Sequence, residues 1–116
     1  MGINIKRGDV VLVNLDPVVG SEQGKTRPAL VIQNDIGNEY SPITIVAPIT
    51  STIFSKQYPT NVEVDGTTSP LKDKSTILLN QIRTIDKSRL IRNYGKISAK
   101  KLKEVDEAIM NSLGLE

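Results

Sequence analysis

Short apolar runs, separated by polar segments that contain glycine or proline, make up most of the chain before residue 98. Runs of this length that are rich in β-branched residues are typical of strands. The pattern predicts strands at 9–16, 28–35, 43–50, 61–65, 75–83 and 91–97. It predicts a turn at 35–38 and a tight or short helical turn at 84–90. The first strand is apolar on both faces, which indicates burial on two sides.

The hydrophobic period changes at the C-terminus. Apolar residues recur there at spacings of three and four, as on one face of an α-helix, at Leu102, Val105, Ile109 and Leu113. Ser98 is a good N-cap, and Gly114 stands where a C-terminal glycine is expected. Pro48, near the end of the third strand, suggests an edge or a bulge.

Five or six short strands followed by one helix, with no regular strand–helix alternation, predict a small antiparallel barrel or sandwich with a packed helix. A length of 116 residues fits one domain, residues 1–116. No apolar run approaches the roughly 20 residues of a membrane helix. The N-terminus also lacks the apolar core of a signal peptide. We therefore expect a cytoplasmic protein without a membrane partner.

Residues 17–28, with the sequence PVVGSEQGKTRP, connect the first two predicted strands. This loop is longer than a usual hairpin connection, and long loops in compact domains are commonly functional. Its glycines allow close approach of the backbone to a ligand. Its side chains offer neutral hydrogen bonds and positive charge, from Ser21, Gln23, Thr26, Lys25 and Arg27. That combination suits a phosphodiester.

The segment GSEQGKT resembles a nucleotide-binding P-loop only superficially. A P-loop has four residues between its first glycine and Gly-Lys-Thr, whereas this chain has three. A P-loop also opens a helix, whereas Arg27-Pro28 opens a predicted strand. Hydrolysis of ATP or GTP is therefore disfavoured.

The absence of histidine and cysteine limits the chemistry that the chain can perform. It excludes disulfides, thiolate nucleophiles, histidine bases and Cys/His zinc sites. Glu63 and Asp65 resemble a magnesium-type carboxylate pair, but alternation along a strand explains their spacing as well, so a metal enzyme is disfavoured. The net charge of +2 permits a nucleic-acid partner. One Phe, three Tyr and no Trp do not suffice for an extended base-stacking platform.

The stretches KRGDVVLVNLDPVVGSEQGKTRPALVIQND, SPITIVAPIT and ILLNQIRTIDKSRL resemble the MazF/PemK family of bacterial toxin endoribonucleases, and the resemblance spans essentially the whole chain. It implies an SH3-like barrel that forms a homodimer and cuts single-stranded RNA without a metal or other cofactor. It also implies a cognate antitoxin, whose extended tail competes for the RNA groove.

The same resemblance assigns catalysis to Arg27 and Thr50. It points to RNA contacts at Ser21, Glu22, Gln23 and Gln81, to which the loop composition adds Lys25 and Thr26. A histidine that some family members carry in the first loop is missing here, so its role cannot be transferred to this chain.

These residues can support attack of a ribose 2′-hydroxyl on the adjacent phosphorus, which yields a 2′,3′-cyclic phosphate and a 5′-hydroxyl. A guanidinium stabilises the charge of the phosphorane well, but its pKa makes it a poor acid or base. Glu22 is a candidate base. Two alternatives remain at this point: a barrel that poisons DNA gyrase without catalysis, and a non-catalytic RNA-binding module.

Overall fold

The computed structural model describes residues 2–115 and places seven strands and two α-helices within them. The strands are β1 Asp9–Asn14, β2 Thr26–Val31, β3 Ile43–Thr50, β4 Asn61–Val64, β5 Ser75–Leu78, β6 Arg83–Asp86 and β7 Leu90–Lys96. The helices are α1 Asp35–Tyr40 and α2 Ala99–Leu113, and a 3-10 turn covers Lys87–Arg89. The prediction of a mainly β protein with a C-terminal helix is confirmed.

The strands form one antiparallel sheet in the order β4-β5-β3-β2-β1-β7, with β6 also paired to β3. Across residues 2–115 no ladder joins β4 to β7, so the sheet is barrel-like but not closed. Strand β3 is central, because it pairs with β2 along one side and with β6 and then β5 along the other. The prediction of an edge or a bulge from Pro48 is therefore wrong, since the register between β2 and β3 also reaches Pro48 without a shift. Pro48 lies where β3 changes partner from β6 to β5, a position that requires no ladder N–H from it.

Two hydrophobic cores lie on opposite faces of the sheet, and β1 contributes to both. Val10 belongs to one core, which α2 covers with Val105 and Ala108. Val11 and Val13 belong to the other. The prediction that this strand is buried on two sides is confirmed.

Helix α2 begins and ends where the sequence predicts. The Ser98 hydroxyl accepts a hydrogen bond from the Lys101 N–H, and Gly114 ends the helix with a left-handed φ of 71°. Most of the predicted stripe packs on the sheet, but Leu113 is 55% exposed. Neither helix, nor any other helical segment of the described chain, is long and apolar enough to cross a membrane.

Two local predictions are wrong. Residues 35–38 begin helix α1 rather than a turn, because the Asn34 side chain caps it by accepting from the Gly37 N–H. The predicted strand 75–83 ends at Leu78, and β6 begins only at Arg83. The polar pair Asn80-Gln81 lies at this break, but strands also carry polar residues, so local pattern alone does not separate the two strands. The predicted helical turn after it is present as the 3-10 turn.

Asp65 closes the turn that follows β4. Its Oδ1 accepts hydrogen bonds from the Thr67 hydroxyl at 2.6 Å and the Thr67 N–H at 2.9 Å. The Thr67 hydroxyl, followed by that N–H, holds the pKa of the Asp65 carboxyl below its usual value of 3.8. The Asp65 carboxylate is therefore already hydrogen-bonded within this turn.

We predict that Asp65→Ala lowers stability most at neutral pH. A depressed pKa stabilises the fold above the unfolded-state pKa, and that stabilisation is lost as the pH falls through the folded-state pKa. The gap in urea midpoint between wild type and variant is therefore expected to narrow below about pH 4. Asp73→Ala, which removes an exposed carboxylate, serves as the control. A gap that stays constant from pH 7 to pH 3 would contradict the role of the ionised carboxylate.

Candidate functional site

The loop at residues 17–28 folds back on its own stem. The Asp16 carboxylate accepts a hydrogen bond from the Lys25 N–H at 2.8 Å, and the Leu15 N–H donates to the Lys25 carbonyl at 2.9 Å. Lys25 has a left-handed φ of 65°, which turns the chain into β2. At the tip, the Glu22 carboxylate accepts from the Val19 N–H at 2.6 Å.

Gly24 is required by the way this loop closes. A Cβ at this position would lie 2.6 Å from the Asp16 Oδ1 and 2.6 Å from a methyl group of Val18. Only a residue without a side chain lets the two arms of the loop approach so closely. The carbonyl of Gly24 in turn accepts a hydrogen bond from Arg27.

Arg27 is half-buried on β2, and its guanidinium is held at one end only. Its Nε donates to the Gly24 carbonyl at 2.7 Å. No residue within 2–115 accepts a hydrogen bond from either of its Nη groups. The side chain is therefore fixed in direction while its fork of donors remains available to a ligand.

The other four arginines of the chain are used differently. Arg7 pairs with Asp106 at 2.6 Å, and Arg92 stacks over the Tyr94 ring. Arg83 donates to the Leu15 carbonyl at 2.8 Å, and Arg89 donates to carbonyls at the start of the loop, those of Asn14 and Asp16. Two arginines thus secure the stem of the loop that carries Arg27.

Thr50 ends β3 beside the end of β2 that carries Arg27. The two strands pair as far as Ala29 and Pro48, and continuing that register by two positions puts Arg27 opposite Thr50. Thr50 is 7% exposed, and its hydroxyl donates to the Thr52 hydroxyl and accepts from the Thr52 N–H, both at 3.2 Å. The hydroxyl is thereby placed by a rigid strand end.

A cleft of about 390 Å³ lies between the loop and the connection from β5 to β6; we name it the loop cleft. Gln81 joins its two sides, because its side-chain oxygen accepts from the Gln23 N–H at 2.8 Å. The lining combines polar, charged and apolar side chains, from Glu22, Gln23, Pro48, Gln81, Ile82 and Arg83.

The loop cleft thus brings together three of the predicted RNA-binding residues, Glu22, Gln23 and Gln81. The structure places Ser21, Lys25 and Thr26 outside its lining, as exposed residues of the loop and the start of β2. Arg27 and Thr50 lie outside it as well, although Pro48, two residues before Thr50, is part of it.

Sequence reasoning missed Arg83, which both lines the cleft and holds the loop stem. Its place in the QIR segment, two residues after Gln81, was the available signal. It also missed the hydroxyl network around Thr50, where the Thr76 hydroxyl donates to the Thr52 carbonyl at 2.9 Å.

The sequence matches the family model described as the PemK-like, MazF-like toxin of type II toxin-antitoxin systems over residues 6–113. A relative named Endoribonuclease MazF, from Staphylococcus saprophyticus subsp. saprophyticus, is 53% identical over 111 residues. The match covers 96% of this chain and 92% of the relative.

Solved structures show the same fold. The crystal structure of MazF (Form-I) from Deinococcus radiodurans superposes with a TM-score of 0.83 at 29% identity, covering 97% of this chain and 99% of that one. An endoribonuclease in complex with its cognate antitoxin, from a Mycobacterial species, gives a TM-score of 0.80 at 21% identity, with 97% of both chains covered. The latter likeness is evidence of fold alone.

We predict that Gly24→Ala opens the loop. The added methyl group overlaps Asp16 and Val18, and overpacking of this kind costs about 1–3 kcal/mol. Hydrogen exchange should therefore accelerate at the amides of Gln23 and Lys25, with a modest fall in melting temperature. Gly2→Ala, where a Cβ meets open space, is the control. Unchanged protection of both amides would show that the close approach is unimportant.

Proposed function

Because the chain belongs to the family of PemK-like, MazF-like toxins of type II toxin-antitoxin systems, we propose that it is an endoribonuclease that cleaves single-stranded RNA. The substrate is read in extended form, since duplex RNA hides its base edges in a deep groove. Messenger RNA is the proposed target, which fits a cytoplasmic location.

The observation that carries this proposal is the guanidinium of Arg27, fixed through Nε and open at both Nη groups. In the proposed step, the ribose 2′-oxygen bonds to the adjacent phosphorus and the bond from phosphorus to the 5′-oxygen breaks. The 2′-hydroxyl loses its proton and the 5′-oxygen gains one, giving a 2′,3′-cyclic phosphate and a 5′-hydroxyl end. Two Nη donors can bind the non-bridging oxygens, whose negative charge grows in the phosphorane.

Thr50 is the second proposed catalytic residue. Its hydroxyl is buried, and continuing the β2–β3 register puts Thr50 opposite Arg27, which supports one phosphate contacting both side chains. In the proposed complex this hydroxyl turns its single hydrogen from the Thr52 hydroxyl to a phosphate oxygen, and it adds no charge. Thr50 thus orients the phosphate that Arg27 stabilises.

Proton transfer needs a separate group, because a guanidinium holds its proton too strongly to exchange it efficiently at neutral pH. Glu22 is our candidate base. One of its carboxylate oxygens accepts from the Val19 N–H, and the residue lines the loop cleft.

We propose that the RNA follows the loop cleft toward Arg27. Gln23 and Gln81 then offer amide groups to base edges, and the loop side chains Ser21, Lys25 and Thr26 contact the backbone. The cognate antitoxin of such a system would inhibit by laying an extended segment in the same groove.

We also propose a homodimer. Apolar side chains at α1 and at the start of β3 support a partner surface: Ile36 is 76%, Tyr40 78% and Ile43 40% exposed. Light scattering at micromolar concentration should give twice the chain mass of 12.7 kDa. A mass of one chain at tens of micromolar would contradict the dimer.

The direct test of the activity uses a long single-stranded RNA in EDTA. Wild type should give discrete fragments that end in 2′,3′-cyclic phosphate. Arg27→Ala should cut about 100- to 1,000-fold more slowly, the usual effect of removing one donor that stabilises a transition state. The rate is measured by gel or by sequencing of fragment ends.

Arg92→Ala is the matched control, because it removes an exposed arginine whose contact is with Tyr94. Both variants should keep the circular dichroism and melting temperature of wild type to within a few degrees. Full activity in a folded Arg27→Ala variant would remove Arg27 from the mechanism. Intact RNA with wild type would favour a non-catalytic role.

A further inference from the structure

A second cleft, of about 310 Å³, lies between the connection from β3 to β4 and helix α2; we name it the aromatic cleft. Its lining includes two aromatic rings, two amides, a carboxylate and a hydroxyl, from Phe54, Tyr58, Gln57, Asn61, Glu63 and Thr76. Nothing in the proposed catalytic step uses it.

Two aromatic rings are held here at the surface. Phe54 and Tyr58 meet edge to face, with centroids 6.0 Å apart and an interplanar angle of 86°. They remain 37% and 47% exposed. The segment is anchored, because the Tyr58 carbonyl accepts from the Asn61 N–H at 3.0 Å and Asn111 of α2 donates to the Pro59 carbonyl at 3.2 Å. The pair is therefore a pre-ordered surface for stacking.

The aromatic cleft adjoins the strand end that carries Thr50. Thr76 lines it, and Thr76 is the ladder partner of Thr50 on β5. The connection that carries Phe54 begins directly after Thr50. Pro48, on the same strand as Thr50, lines the loop cleft. Thr50 thus lies between the two clefts, and an extended strand can occupy both while its phosphate lies at Arg27.

The charge of the aromatic cleft favours a base over a phosphate. Lys56 and Lys101 are offset by Glu63 and Glu104, and Lys101 is already paired with Glu104 at 3.3 Å. A nucleobase is neutral, stacks on aromatic faces and carries polar edges. Glu63 can accept a hydrogen bond but cannot donate one when ionised, which favours an exocyclic amino group over the carbonyl groups of uracil.

We infer that the aromatic cleft is a base-binding subsite of the RNA groove, in which one ring of the perpendicular Phe54–Tyr58 pair stacks on a nucleobase beside the cleaved step and the other contacts that base edge-on. Glu63 selects bases that carry an exocyclic amino group, adenine, cytosine or guanine, there over uracil, whose one base donor is the N3–H. As a determinant of substrate choice this rests on the proposed endoribonuclease function, but binding of a base can be measured without cleavage.

The test uses 2′-O-methyl oligonucleotides, which lack the hydroxyl that attacks. Since the chain has no tryptophan, Phe54→Trp introduces a single fluorescent reporter. Oligo(A) and oligo(C) should quench it more strongly than oligo(U). Phe54→Leu and Tyr58→Leu should each weaken oligonucleotide binding by about 5- to 100-fold, the effect of losing one stacked base. Glu63→Gln adds hydrogen-bond donors, so it should reduce the difference in affinity between oligo(U) and the other two oligonucleotides.

Ile91→Ala is the control, since it removes an exposed apolar side chain from β7 that lines neither cleft. Its affinity should equal that of wild type. Absent quenching, or equal quenching by all three oligonucleotides, would overturn the subsite. Cleavage by wild type with no quenching leaves the proposed function standing without this subsite. Quenching without cleavage supports the subsite and contradicts the proposed endoribonuclease function.

Discussion

The antiparallel ladder between β2 and β3 determines the geometry on which the site depends. Its last pair, Ala29 with Pro48, lies just before the positions of Arg27 and Thr50. Beyond this pair the ladder between β2 and β3 ends, and Thr50 pairs with Thr76 of β5. The side chains of Arg27 and Thr50 at these two strand ends therefore remain available to a ligand. A change in this register by one residue would turn one of the two side chains to the opposite face.

A rigid frame supports this end of the sheet. β1 packs into both cores, and each fully buried valine or leucine contributes about 1.5–3 kcal/mol. The frame is joined to the loop by hydrogen bonds from Arg83 and Arg89 to the backbone before Pro17. Arg27 is fixed through Nε, while both of its Nη groups make no hydrogen bond to residues 2–115. The energetic division is clear: buried apolar side chains hold the strands, and buried or tethered polar groups place the chemistry.

Much of the fold was predictable from the sequence. The alternation in 9–16, the period of α2 and its caps at Ser98 and Gly114 follow from local rules. The break after Leu78 did not, because the separation of β5 from β6 is decided by which part of β3 each one pairs with. The same limit applies to the site: composition indicated a phosphate-binding loop, whereas the hydrogen bond from Arg27 to Gly24 is a tertiary detail. The pairing of Phe54 with Tyr58 was also invisible, since an aromatic count does not say which rings meet.

The central claim is that the free Nη groups of Arg27 and the Thr50 hydroxyl bind the same phosphate. A crystal structure with an uncleavable 2′-O-methyl oligonucleotide tests it most directly. The account predicts one phosphate with non-bridging oxygens within about 2.7–3.2 Å of an Arg27 Nη and of the Thr50 Oγ1. An oligonucleotide bound in the groove with no phosphate in reach of Arg27 would contradict it.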